Sequence, residues 1–139
     1  VPVAPLRPSN CGFETVWSDR FREAFAGQAV KSVAVSVCAG GISHPLSGEF
    51  TITQYGVEGS LIYAFSAQLR EQIDVTGQAL MLLDLLPETD FQALIKKLSR
   101  PRDKNSLANF LRKSAGIKGV KAALLRELVA ADDYRDMHR

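Results

Sequence analysis

Chemistry-bearing side chains are scarce in this 139-residue chain, which has two histidines, two cysteines and one tryptophan. A structural zinc site takes about four N or S ligands. Cys11, Cys38, His44 and His138 are scattered without ligand spacing, so no metal is expected. A Ser–His–Asp set cannot be drawn either, because His44 stands beside Pro45 at a strand start and His138 lies near the chain end. A single thiol pair in a chain with an ample core is no disulfide framework. A reduced, cytoplasmic protein is the default expectation. No apolar run nears the roughly 20 residues that span a bilayer, and residues 1–6 lack the basic-then-apolar layout of a signal peptide. No membrane partner is therefore expected. Nucleotide motifs are missing as well: Gly56-Val57-Glu58-Gly59 and Gly116-Ile117-Lys118-Gly119 each fall one glycine short of G-x-G-x-x-G. By itself the chain offers no catalytic residue.

What is present is an ordinary globular composition, 46% hydrophobic and 23% charged. Its charge is unevenly placed. Residues 96–127 hold ten of the 17 Lys and Arg against two acidic residues, whereas residues 1–95 are net acidic. Phe13–Trp17 alternates like a short strand, and Asp19–Ala26 allows a helical turn or two with Phe21 and Phe25 on one face. Val33, Val35 and Val37 alternate with small residues, the period-2 signal of a half-buried strand over 30–37. Gly40-Gly41 turns the chain into a second strand over 45–54, predicting a hairpin. The apolar run 79–86, interrupted only by Asp84, reads as a buried strand that Pro87 stops. Three short helices follow. Phe91, Leu94, Ile95 and Leu98 mark the first, Leu107, Phe110 and Leu111 the second, and Ile117, Val120, Leu124, Leu125 and Leu128 the third. The expected architecture is α+β: a small sheet or flattened barrel with one packed helix over residues 1–86, then a helical subdomain over 87–139.

The richest stretch is Gly48–Ser60. A strand pattern runs through Phe50, Ile52 and Gln54 into Gly56 and Gly59. A helix over 57–70, marked by Val57, Leu61, Ile62, Phe65 and Leu69, is predicted directly behind. Such a junction would present free backbone N–H groups, with a helix dipole behind them, to a carboxylate, phosphate or polarised carbonyl. The plain alternative is a tight turn with positive φ at Gly56 and close helix–strand packing at Gly59. In the helical part, Gly116-Ile117-Lys118-Gly119 resembles a helix-hairpin-helix turn and the KH-domain loop. With Lys118 and Lys121 it could hold a nucleic-acid phosphate. The glycines are three apart where the hairpin wants two, and no strand follows as in KH domains. The alternative is a helix cap at Gly116 with solvated lysines.

Several segments occur in a recognisable order: Val1-Pro2-Val3-Ala4-Pro5-Leu6, then Phe25–Val33, then Gly48-Glu49 through Gly59, then Leu83-Asp84-Leu85-Leu86-Pro87. Together they resemble the inserted middle region of bacterial aminoacetone-oxidase-like NAD(P)/FAD-dependent oxidoreductases. That region carries a Gly-Glu-x-x-Phe-Thr-His-x-Gly-x-Ser-Gly-Pro element, an Asp-Leu-x-Pro strand and a small helical part. This chain departs from the pattern at Ile52, Gln54, Glu58 and Ser60, as a divergent branch would, and Gln54 cannot do the acid–base work of a histidine. The resemblance, which spans residue 1 to about 130, implies an insert that covers FAD held by flanking segments and shapes a small-molecule substrate pocket. The start on Val1 instead of Met fits a piece of a longer chain. The resemblance also implies that this piece binds no FAD alone. Gln54, Tyr55, Gly56, Val57, Glu58 and Gly59 would face flavin or substrate, with Glu58 suiting a cationic amine or simply water. The expected partner is the FAD-binding domain of the same chain. The alternatives are a nucleic-acid module built on the basic helical face, or a protein-interaction domain whose apolar docking patch drives self-association.

Overall fold

The computed structural model describes residues 1–129; His138 lies outside them. The hairpin forms as the alternation predicts: strand β2 (Ala29–Val37) pairs antiparallel with β3 (Leu46–Ile52). Val30, Val33, Val35 and Val37 all point into the core, although Val30 and Val33 are three apart. A β-bulge absorbs the extra residue, shifting the register between Val30 and Val33 and placing Ser32 at φ 54°. Ahead of the hairpin, β1 (Phe13–Glu14) is shorter than its sequence pattern. Helix α1 (Asp19–Phe25) follows, capped by Ser18, whose Oγ accepts from the Phe21 N–H at 3.2 Å. Trp17, Phe21 and Phe25 stack in series with ring centroids 4.7 and 5.2 Å apart, filling one end of the core.

The largest departure from the sequence reading comes next. The segment Gly56–Glu58 is a strand, β4, and no helix begins at Val57. It lies between β1 and β3, with Val57 opposite Phe13 on one side and Ile52 on the other. Helical structure starts later and is broken into α2 (Ser60–Tyr63) and α3 (Ser66–Thr76). The break follows a tightened turn in which the Phe65 N–H donates to Ile62 O, an i→i+3 bond. Gly56 does not take a positive φ; Gly59 does, at 113°. Gly56 serves close approach, since a Cβ there would lie 1.8 Å from Phe13 O.

The fifth strand, β5 (Met81–Asp84), is an edge strand, where the sequence suggested a buried one. Among the described residues it pairs only with β2, and Leu82 stays 39% exposed. The order β1-β4-β3-β2-β5 thus makes an antiparallel sheet that curls into a half-barrel, with edges at β1 and β5 that are unpaired among the described residues. Leu61 and Ile62 of α2 pack inside it.

Three helices complete the described chain: α4 (Phe91–Leu98), α5 (Leu107–Ala115) and α6 (Gly119–Leu128). Asp90 and Ser106 cap the first two through their side chains, and Gly116 ends α5 in the left-handed conformation. Leu107, Leu111 and Ile117 form a second small core. Helix α6 joins the two cores, giving Val120 and Leu124 to the barrel side and Leu125 to the helical side. Two polar clasps fix it. Lys121 Nζ donates to Ser32 O at 2.9 Å and Leu85 O at 2.7 Å. The Glu127 carboxylate accepts from Ser18 N and Oγ at 2.5 and 2.9 Å.

Four substitutions, two of them controls, probe these contacts. Gly56→Ala must force β1 off the sheet and is expected to cost about 3 kcal/mol or more in urea unfolding. Gly116→Ala, with open space but a φ of 68°, should lose only about 1 kcal/mol. Equal losses at both positions would mean that β1 is not held against Gly56. Lys121→Met removes both clasp bonds and is expected to lower stability by about 1–2 kcal/mol. The exposed Lys118→Met should change it by less than about 0.5 kcal/mol, and a matching loss at Lys118 would contradict the clasp.

Candidate functional site

The turn between β3 and β4 is built on Thr53. Its N–H donates to Gly56 O at 2.9 Å, and its Oγ1 accepts from Gly56 N at 2.9 Å and Tyr55 N at 3.3 Å. On the other flank, the Thr15 N–H donates to Tyr55 O at 2.8 Å. Trp17 Nε1, itself buried, donates to Gly56 O at 3.2 Å. With its backbone so fully engaged, the turn pushes two side chains outward, Gln54 and Tyr55, the latter 72% exposed.

This geometry separates the six residues that the sequence singled out. Gln54 and Tyr55 sit at the hairpin tip, while Gly56 and Val57 are buried in the sheet. Glu58 points to solvent across from Thr51, and Gly59 is the N-cap of a four-residue helix. The expected nest of free N–H groups is not built at Gly56. The Gly56 N–H is spent on Thr53, and β4 ladders with strands on both sides. A long helix does not aim its dipole at the turn, because residues 56–58 pair as a strand before α2 begins.

Around the tip, Gln54 and Tyr55 join Glu14, Thr15, Val16 and Arg22 in lining a shallow concavity of about 290 Å³. Val16 is 98% exposed beside Tyr55, so two apolar side chains face solvent at one place. Arg22 is tied to Asp19 Oδ1 at 2.5 Å. Sequence reading missed Val16 and Arg22, which come near residue 55 only because β4 inserts beside β1.

A second, deeper cleft of about 660 Å³ occupies the seam between β1 and β5. Its floor is core: Phe50, Val57, Leu69 and Leu124 are all buried. Its signal in the sequence was faint, the apolar run 79–86, of which Ala79, Leu80, Met81 and Leu83 line the cleft.

The helical look-alike resolves differently. Gly116 is a helix cap, and Lys121 is bound to two backbone carbonyls of its own chain. Only Lys118 of that pair is exposed. Among the described residues, no group of three His, Cys, Asp or Glu side chains is placed to hold a metal ion, and no helix is long and apolar enough to cross a membrane.

No curated protein matches this chain. Residues 7–137 match the family described as the HI0933-like protein barrel and H2TH domain. That span is nearly the whole chain, so the protein belongs to this family, which is related to FAD-dependent oxidoreductases.

Proposed function

We propose that the chain is the covering domain of an FAD-dependent oxidoreductase of the aminoacetone-oxidase-like kind, inserted between the segments that hold the cofactor. The observation that carries this reading is the hairpin tip. There an amide (Gln54), a phenol (Tyr55) and a bare valine (Val16) face outward beside a concavity, on a backbone that Thr53 and Trp17 hold rigid. The family's relation to FAD-dependent oxidoreductases supplies the cofactor.

The residues fit part of FAD and not the rest. An exposed aromatic ring and a side chain that both donates and accepts hydrogen bonds suit the edge and face of the isoalloxazine. A pyrophosphate needs unspent cationic or N–H donors. At this tip Arg22 is engaged by Asp19 and the Gly56 N–H by Thr53. The FAD-binding domain of the intact protein would therefore hold the diphosphate, and this chain would cover the ring system.

When bound, FAD supplies the electron transfer. The chain's own part is positional. Tyr55 and Val16 exclude water from the covered face, and Gln54 orients a polar group at its edge. Gly56 and Val57 fix the turn, while Glu58 and Gly59 set where β4 hands over to α2. Gln54 stands where relatives of this kind carry a histidine, and an amide moves no proton near neutral pH. Acid–base steps on the small-molecule substrate would then fall to other groups.

In the intact flavoprotein, Tyr55→Ala should leave folding within about 0.5 kcal/mol of wild type, since the ring is exposed. It is expected to shift the absorption of bound flavin, raise its fluorescence and raise KM for substrate several-fold. The 139-residue chain purified alone should be colourless. An unchanged flavin spectrum and KM in the variant would overturn the covering role. So would a yellow isolated chain, or a native reading frame with no flavin-binding segments.

A further inference from the structure

The seam cleft is a concavity that the covering role leaves unused. Closed barrels have no edges, and protein interiors leave few voids larger than a water molecule. Here β1, only two residues long, and β5 stop short of each other over an apolar floor. That floor is preformed: Phe50, Leu69 and Leu124 are 2%, 3% and 1% exposed and belong to the main core. The volume, about 660 Å³, falls among the small-molecule sites that occur in the mouths of β-barrels.

The lining also carries a charge signature. Among the described residues that line it no Lys or Arg occurs, and Glu14 is the one charged side chain, with Thr15 and Gln78 the other polar ones. An anionic amphiphile would meet a carboxylate with no counter-charge, whereas a cationic head would be paired. From the unclosed seam, its packed floor and its single carboxylate, we propose that the cleft binds one elongated apolar molecule with a cationic head. The hydrocarbon lies between β1 and β5, and the head sits at Glu14. The proposal stands independently of flavin, because the site lies wholly within this chain.

Two reporters make it testable on the 139-residue chain. Trp17, the only tryptophan, lines the cleft, and so does Met81, one of two methionines. The chain is titrated with decylamine, decanol and decanoate while Trp17 emission and the ¹³C-methyl signals of methionine are followed. Saturable one-to-one binding is expected, with a blue shift of Trp17 and movement of the Met81 methyl. Decylamine should bind roughly tenfold tighter than decanoate, a modest factor suited to a charge pair at a wet rim. Glu14→Gln should erase the preference but keep decanol binding, and Ala79→Phe, which fills the cleft, should abolish all three.

No saturable change in either reporter of the wild-type chain would overturn the site, whatever the variants do. Decanoate binding as tightly as decylamine would overturn the cationic head. A dimer in sedimentation, with Met81 insensitive to every probe, would show that a second copy covers the cleft and would overturn the ligand reading.

Discussion

The sheet of this protein turns on the contact between Gly56 and Phe13. The backbone of β1 passes so close that a side chain at position 56 would occupy the same space as Phe13 O. With hydrogen at that position, the segment 56–58 pairs on both sides and becomes an interior strand. The ladder then consumes donors that would otherwise have been open to a ligand. The same contact draws in Trp17, whose Nε1–H completes the hydrogen bonding of Gly56 O. The hairpin tip, its exposed pair and the placement of α1 all follow from one absent Cβ.

How much of this was readable depended on the range of the interaction. The 29–52 hairpin and the α4–α6 helices were legible, because alternation and i, i+3, i+4 spacing are local properties. β4 was not. Val57, Leu61, Ile62, Phe65 and Leu69 satisfy a helical period, but Val57 is held by Phe13, 44 positions earlier, through a register that no local pattern encodes. The bulge left a trace in Val30-Lys31-Ser32-Val33, where two inward residues stand three apart. Residues 79–86 misled for another reason. Leu80, Met81 and Leu83 line an open cleft while Leu82 faces outward, so a continuous apolar run arose without burial on both faces. Of the candidate site, Gln54 and Tyr55 were found by motif, whereas Val16 and Arg22 required the strand order.

Charge gives a parallel lesson. The basic stretch 96–127 invites a reading as an electrostatic footprint. Its most buried lysine, however, does structural work. Lys121 meets the carbonyl of Ser32 at the bulge and the carbonyl of Leu85 just past β5. The bulge and the lysine therefore belong together: one tips a carbonyl out of the β2 ladder, and the other satisfies it. Glu127 does the reverse service for the N–H and hydroxyl of Ser18, so α6 offers opposite charges to opposite backbone needs.

The hairpin-tip concavity and the seam cleft are neighbours across a single strand. Glu14, Thr15 and Trp17 line both. Since β1 spans only two residues and, among the described residues, pairs only with β4, it is the thinnest wall of the half-barrel. A molecule seated in the cleft would press on the strand that Gly56 receives, and Gly56 in turn fixes the turn bearing Tyr55. Coupling between two sites requires an element that both of them bias. In this fold β1 borders both concavities, and its position is set by the same crossing that defines the rest of the sheet.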